Sequence, residues 1–303
     1  MSMAEKGIDV LVVSDPANMN YLTGYDGWSF YVPQVVILSI DDDEPIWVGR
    51  GMDANGAKHT TYLSHERIIG YADDYVQTPV KHPMQVVAGE IKKQGWDTKT
   101  IGTEMDAYYF SAKSFVELQK SLPNAKFDDA NLLVSWVRII KSAREIEFMQ
   151  KAGKIAERVM QTAIDTVAPG VRECDAVAEI YRTQIRGTDT YGGDYTSFVP
   201  MMPCGEKTST PHLTWTDEPY QNEIAVNMEL AACHNRYHSP LARTMYLGKN
   251  PPGKLVDTSK VVVEGCNEAL DAIKPGVKCE EIELVWRRVI ARAGLEKESR
   301  IGY

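Results

Sequence analysis

The chain has 303 residues, with 33 basic against 42 acidic side chains and a formal net charge of −9. That length suits two domains, each with its own core, and the acidic balance disfavours partners that present phosphate, whether nucleic acid or an anionic membrane surface. Apolar runs such as Ile8 to Val13 and Val35 to Ile40 are strand-sized, far below the ~20 residues that cross a bilayer, and the start lacks the pattern of a secretory signal, so a cytosolic protein is expected.

The run IDVLVV at 8 to 13 reads as a buried strand, and Ser14-Asp15-Pro16 after it as a helix start. Further strands are predicted at 35 to 40, 44 to 49, 67 to 72 and 100 to 105, with amphipathic helices at Pro83 to Lys93 and Ser111 to Leu122. This alternation predicts an α/β first domain. From Asn131 a long helical texture runs to about Val167, with Ser142 and Glu145 spaced as a capping box. The boundary is set between residues 135 and 136, giving domains 1–135 and 136–303.

The second domain contains an internal echo. Pro169-Gly170-Val171-Arg172-Glu173-Cys174 returns as Pro275-Gly276-Val277-Lys278-Cys279-Glu280, and each copy leads into an amphipathic helix. A duplicated helix–turn–helix unit predicts a pseudo-symmetric domain. Between the copies lies a polar passage, Gly187 to Glu218, and then an antiparallel pair around Ile224 to Ala232 and Ala242 to Leu247. The cleft lined by that pair is the expected place for chemistry.

Glu229 stands inside an otherwise apolar strand, where burial costs a carboxylate several kcal/mol unless it has partners or a task; strict alternation would turn it to solvent instead. His212, in Ser209-Thr210-Pro211-His212-Leu213, reads either as a hydrogen-bonded surface residue or as an acid/base group. His234 and His238 are four apart, a zinc spacing on a helix, but Cys233 to Pro240 reads as a turn, which removes the meaning of that spacing. Cys174, Cys204, Cys233, Cys266 and Cys279 never fall as CxxC and read as reduced thiols, with Cys204 or Cys233 as the alternative nucleophile. The loop Tyr25-Asp26-Gly27-Trp28-Ser29-Phe30-Tyr31 gathers four aromatics and a carboxylate, which serve core packing or a box for a cationic ligand.

Three segments together resemble the pita-bread hydrolases, the fold shared by creatinase, prolidase and aminopeptidase P. They are Arg138 to Glu147, Gly205 to His212, and Tyr237 through Arg243-Thr244 to Gly248. The resemblance implies a creatinase-like α/β N-terminal domain followed by a pseudo-symmetric α+β pita-bread catalytic domain. In metal-dependent members two aspartates sit in the hairpin; here those places hold Glu229 and Pro240. Proline cannot ligate a metal, so the resemblance is to the metal-free branch, with no cofactor. The glutamate that creatinase sets before its Arg-Thr pair is Ala242 here, which argues against creatine.

The YDGWSFY loop, Met228 to His234 and Tyr237 to Thr244 resemble the ectoine-hydrolysing members of that branch, which open a cyclic amidine to an acetylated diaminobutyrate. The resemblance implies Glu229 and His212 as catalytic residues. Tyr25, Asp26, Trp28, Tyr31 and His238 would bind the substrate, with sites built across the interface of a homodimer and Arg243 bracing the hairpin. It also implies a truncated catalytic domain, since a further sheet segment should begin near Ile301-Gly302-Tyr303, and a missing first helix before Met3 to Gly7. Two other readings stay open: a metal-dependent peptidase cleaving beside proline, and a pita-bread domain that binds without catalysing.

Overall fold

The computed structural model describes residues 2–130 and 132–296 and divides the chain between Ser142 and Ala143. Asn131, where the helical texture was expected to begin, and Ile301 to Tyr303, where a further sheet segment was expected, lie outside the described residues. No described helix is long and apolar enough to cross a membrane.

In the first unit, β1 (Val10–Val13), β2 (Val35–Ser39), β3 (Asp42–Arg50), β4 (Ile68–Tyr71), β5 (Thr100–Thr103) and β6 (Lys126–Asp129) form one mixed sheet in the order β4-β3-β2-β1-β5-β6. β1 pairs antiparallel with β2 and parallel with β5. Side chains alternate across a strand, so Val10, Val12, Ile37 and Ile46 face a core shared with Met84 and Ile91 of α3 (Pro83–Lys93) and Leu118 of α4 (Ala112–Ser121). Leu11, Val13, Val36 and Trp47 face the opposite core. There they meet Met19 of α1 (Pro16–Thr23), Ala57 of α2 (Ala54–Thr60) and Leu133 of α5 (Leu133–Arg138). Both faces are covered, which is why β1 is buried at every position.

The start of α1 is fixed twice. Asp15 accepts a hydrogen bond from the Asn18 amide at 3.0 Å ahead of Pro16, a favoured first helical residue. Glu104, directly after β5, then accepts from Ser14 N at 2.8 Å, Asp15 N at 2.9 Å and Asn18 Nδ2 at 2.6 Å. Burial pushes its carboxyl above the usual range, and the three donors work against that push.

The second unit holds α6 (Ala143–Thr166), α7 (Glu173–Arg186), β7 (Ile224–His234), β8 (Tyr237–Leu247), α8 (Gly253–Ala272) and α9 (Cys279–Arg292). The single helical stretch expected up to Val167 is two helices, α5 and α6, with residues 139–142 non-helical between them. α6 begins directly after Ser142 and carries Glu145 in its first turn.

The sequence echo has a structural counterpart: Gly170 and Gly276 both turn at left-handed φ, 86° and 89°, and the helices that follow start at Glu173 and Cys279, the same offset. A side chain with a Cβ is disfavoured at such φ, which accounts for glycine in both copies.

The hairpin is longer than predicted. β7 and β8 pair from Ile224↔Leu247 to His234↔Tyr237, leaving only Asn235 and Arg236 as the turn, at φ 49° and 66°. Those values match the two-residue turn whose twist suits antiparallel strands. The expected turn over Cys233 to Pro240 therefore contracts to two residues, and both flanking histidines belong to strands.

Candidate active site

Register assigns each hairpin residue to a face. Val226, Met228, Leu230 and Ala232 share a core with Ile155 and Val159 of α6 and Val177 and Ile180 of α7. The opposite face carries Asn227, Glu229, Ala231 and Cys233 from β7, paired with Thr244, Ala242, Pro240 and His238 from β8. Glu229 thus stands on the face away from the helices, half-buried, with Ala242 directly across. Its backbone is held on the other edge by Met201, with Glu229 N donating to Met201 O at 2.9 Å and Met201 N to Glu229 O at 3.1 Å.

The passage bearing His212 is tied to the same strand. Asn227 N donates to Pro203 O at 3.0 Å, and Asn227 Nδ2 to Thr208 O at 3.2 Å. The Asn227 Oδ1 accepts from Thr244 Oγ1 at 2.9 Å across the hairpin. His212 itself is exposed and adopts φ 67°. Asn227 is a site-face residue that the sequence reading passed over, although a polar group two positions before Glu229 in an apolar strand is the same signal.

His234 and His238 part company. Neighbouring cross-strand pairs point to opposite faces, and His234 pairs with Tyr237 while His238 pairs with Cys233. His234 lies among Phe148 and Tyr191, ring centroids 6.1 and 5.1 Å away, with Nδ1 3.0 Å from Gly192 O. His238 lies on the Glu229 face. Its Nε2 accepts from Ser197 N at 3.0 Å and its Nδ1 bonds Arg236 O at 3.2 Å, which defines a neutral tautomer.

Burial holds the His238 imidazole below the usual histidine range, with the Arg236 guanidinium adding to the effect and the Arg236 carbonyl opposing it. Protonation would set an N–H against the Ser197 N–H. Because the folded pKa is depressed below 6.5, the unfolded chain binds a proton the folded chain refuses, and stability drops as pH falls from that value through the folded pKa. Thermal denaturation of His238→Gln is therefore expected to lose less stability than the parent between about pH 7 and pH 5; equal losses would contradict this account.

The cysteine alternatives fare differently. Cys204 donates to Glu173 Oε1 at 3.2 Å, and burial, with that carboxylate next, pushes its thiol up to about 11. A nucleophilic cysteine needs the opposite shift, so Cys204 is a donor here. Cys233 is wholly buried. Arg243 is exposed, and its Nη1 donates at 2.8 Å to the adjacent Ala242 carbonyl.

In the first unit, Trp28 and Tyr31 are 64% and 58% exposed. They form a ring group with Phe30 and Tyr109, at centroid distances of 5.0 Å for Trp28–Phe30, 6.2 Å for Trp28–Tyr31 and 5.6 Å for Phe30–Tyr109. Asp26 is exposed in the same loop. Tyr25, expected beside them as a ligand contact, is 3% exposed and packs on Trp47 at 5.1 Å. Its hydroxyl bonds Ser29 Oγ at 2.8 Å and Gln34 Oε1 at 3.0 Å, and burial pushes its phenol up to about 12. A Cβ on Gly27 would collide with the Tyr25 hydroxyl, so Tyr25 and Gly27 shape the loop that presents Trp28.

The chain belongs to metallopeptidase family M24, whose pattern matches residues 147–303, and carries a creatinase/prolidase N-terminal domain over residues 1–140. It has the pita-bread fold and is a hydrolase acting on carbon–nitrogen bonds. An uncharacterized hydrolase/peptidase of Sinorhizobium fredii is 48% identical over 99% of this chain and 76% of its own length. The ectoine hydrolase of Halomonas elongata is 44% identical over 99% of this chain and 77% of its own. Among solved structures, a recombinant prolidase from Thermococcus sibiricus superposes with a TM-score of 0.81 at 19% identity, over 96% of this chain and 75% of that one.

The family's name implies a metal, and the donor set can be judged directly. Ala242 across from Glu229 and Ala231 and Pro240 to one side of it bring no ligating side-chain atom, and on the other side Asn227 Oδ1 is taken up by Thr244 Oγ1. Among the described residues no three His, Cys, Asp or Glu side chains converge to hold an ion. The described residues do not fit a metal centre.

Proposed function

We propose that the chain is a metal-independent hydrolase that opens the cyclic amidine ring of ectoine to N-acetyl-diaminobutyrate. The observation that carries the reading is the 44% identity to an ectoine hydrolase over 99% of the chain, together with a hairpin face on which Glu229 stands opposite alanine and beside Pro240. Glu229 activates a water towards the amidine carbon, forming the new carbon–oxygen bond, or attacks that carbon itself, in which case a water then adds to the same carbon and expels the carboxylate. His212 moves the proton to the ring nitrogen as its bond to that carbon breaks, so that one water is consumed and an acetamide and an amine result. In the first unit, exposed Trp28 and Tyr31 offer aromatic faces and Asp26 a carboxylate suited to an amidinium, and in the second unit His238, neutral and bonded at both nitrogens, lies further along the hairpin face that bears Glu229. On this reading the protein works in the cytosol as a homodimer.

Proton NMR of ectoine incubated with the chelator-treated protein tests the reading. Acetyl signals of N-acetyl-diaminobutyrate are expected without added metal. Conversion that requires manganese or cobalt, or cleavage of a Xaa-Pro dipeptide in their presence with ectoine untouched, would overturn it in favour of a metallopeptidase.

A further inference from the structure

The segment from Cys204 to Thr216 carries His212, and both of its ends converge on one side chain. Glu173 opens α7 and is 3% exposed. Its Oε1 accepts from Cys204 Sγ at 3.2 Å, and its Oε2 accepts from Thr216 N at 2.6 Å. Lys207, inside the segment, brings its Nζ to 3.8 Å from Oε1. Main-chain bonds run alongside: Glu173 N donates to Glu218 O at 2.9 Å, and Cys174 N to Thr216 O at 3.0 Å. A buried carboxylate is tolerated when its oxygens are used, and here each oxygen anchors a different end of the same loop.

Helix starts commonly carry an acidic residue at the surface, where the helix dipole favours it. Glu173 is not of that kind, because it points inward and bonds side chains and amides 31 and 43 residues away. The corresponding residue of the second copy of the motif, Cys279, is exposed. The inward carboxylate therefore belongs to the copy that neighbours the loop, and the shared motif alone does not require it.

We propose that Glu173 is a positioning residue, whose two oxygens clasp the loop at Cys204 and Thr216 and so hold His212 in register with the hairpin face bearing Glu229. The proposal rests on the catalytic assignment of His212 made above. Asn227 supplies the second hold, through Thr208. With both ends fixed at Glu173 and its middle fixed at Asn227, the loop has little freedom to carry His212 away.

The test uses Glu173→Gln, which keeps the shape but turns one acceptor oxygen into a donor. In the full protein kcat on ectoine is expected to fall on the order of 10²-fold, the penalty of a misplaced group, while KM stays within about twofold, because no substrate contact is lost. Alkylation of Cys204, followed by peptide mass spectrometry, and tryptic cleavage after Lys207 should both accelerate under native conditions. In a His212→Ala background the substitution should cost nothing further in kcat.

Unchanged alkylation and cleavage in Glu173→Gln would overturn the clasp, as would losses in kcat that multiply in the double variant. Should Glu173→Gln fail to fold, Cys204→Ala, which frees one end only, must still speed cleavage after Lys207, and no acceleration would sink the idea. If ectoine is not turned over, or if His212→Ala is fully active, the active-site reading fails on its own. The loop readouts then decide whether the clasp exists.

Discussion

Glu229→Gln is expected to lower kcat on ectoine by roughly 10²- to 10⁴-fold, the range a positioned acid/base or nucleophile supplies, while the protein melts at nearly the parent temperature. Both expectations come from the strand geometry. The Glu229 backbone is held by Met201 on one edge, and its side chain lies on the face away from the helices, opposite Ala242. Replacing an oxygen by an amide there keeps the side-chain shape and leaves the backbone ladder intact, while the basic group is lost. Single-turnover NMR and a thermal melt of the same preparation would check both, and a variant retaining more than about a tenth of the parent rate would exclude Glu229 from the chemical step.

The second large effect falls on stability. Glu104→Ala strips the common acceptor from Ser14 N, Asp15 N and Asn18 Nδ2, and Glu104 itself is only 3% exposed. Each buried donor left without a partner costs about 1 to 3 kcal/mol, so a total of about 3 to 5 kcal/mol is expected after relaxation. Chemical denaturation followed by near-ultraviolet circular dichroism, to which Trp47 and Trp96, both buried in the same unit, contribute, measures it. A loss below about 1 kcal/mol would mean that water reaches these donors once the carboxylate is gone.

The parts of the fold that the sequence declares are those in which local pattern and burial coincide. β1 and β2 are covered on both faces and therefore read as unbroken apolar runs. β6, with the sequence Lys126-Phe127-Asp128-Asp129, escaped notice because it is a largely exposed edge strand held by backbone pairing to β5, a contact its own residues do not announce. α2 escaped because it is short and contains Gly56. The break at residues 139–142 was half legible: the Ser142–Glu145 spacing announces the start of α6, while Ile139 and Ile140, apolar yet exposed, prolong the helical texture before it.

At the site, Glu229 is legible as a charge in an apolar strand, and the Trp28 loop as a cluster of aromatics. Tyr25 misleads because an aromatic residue in a polar loop looks the same whether its ring faces out or in; the hydroxyl partners Ser29 and Gln34 decide it. Glu173 is invisible for a similar reason. Its worth comes from Cys204 and Thr216, which only the folded chain brings to it.

Pro240 has a further meaning for how this hairpin can change. The Ala231 carbonyl accepts from Gln184 Nε2 at 2.7 Å on the far edge of β7, so the main-chain groups of Ala231, and by antiparallel pairing those of Pro240 across from it, point away from the ladder. The ring nitrogen therefore takes no bond from the hairpin, and proline enters β8 without weakening it. By the same geometry an acidic side chain would fit at 240 with the backbone undisturbed, placing a carboxylate diagonal to Glu229. A single codon, with no remodelling of the strands, separates this face from one bearing two carboxylates.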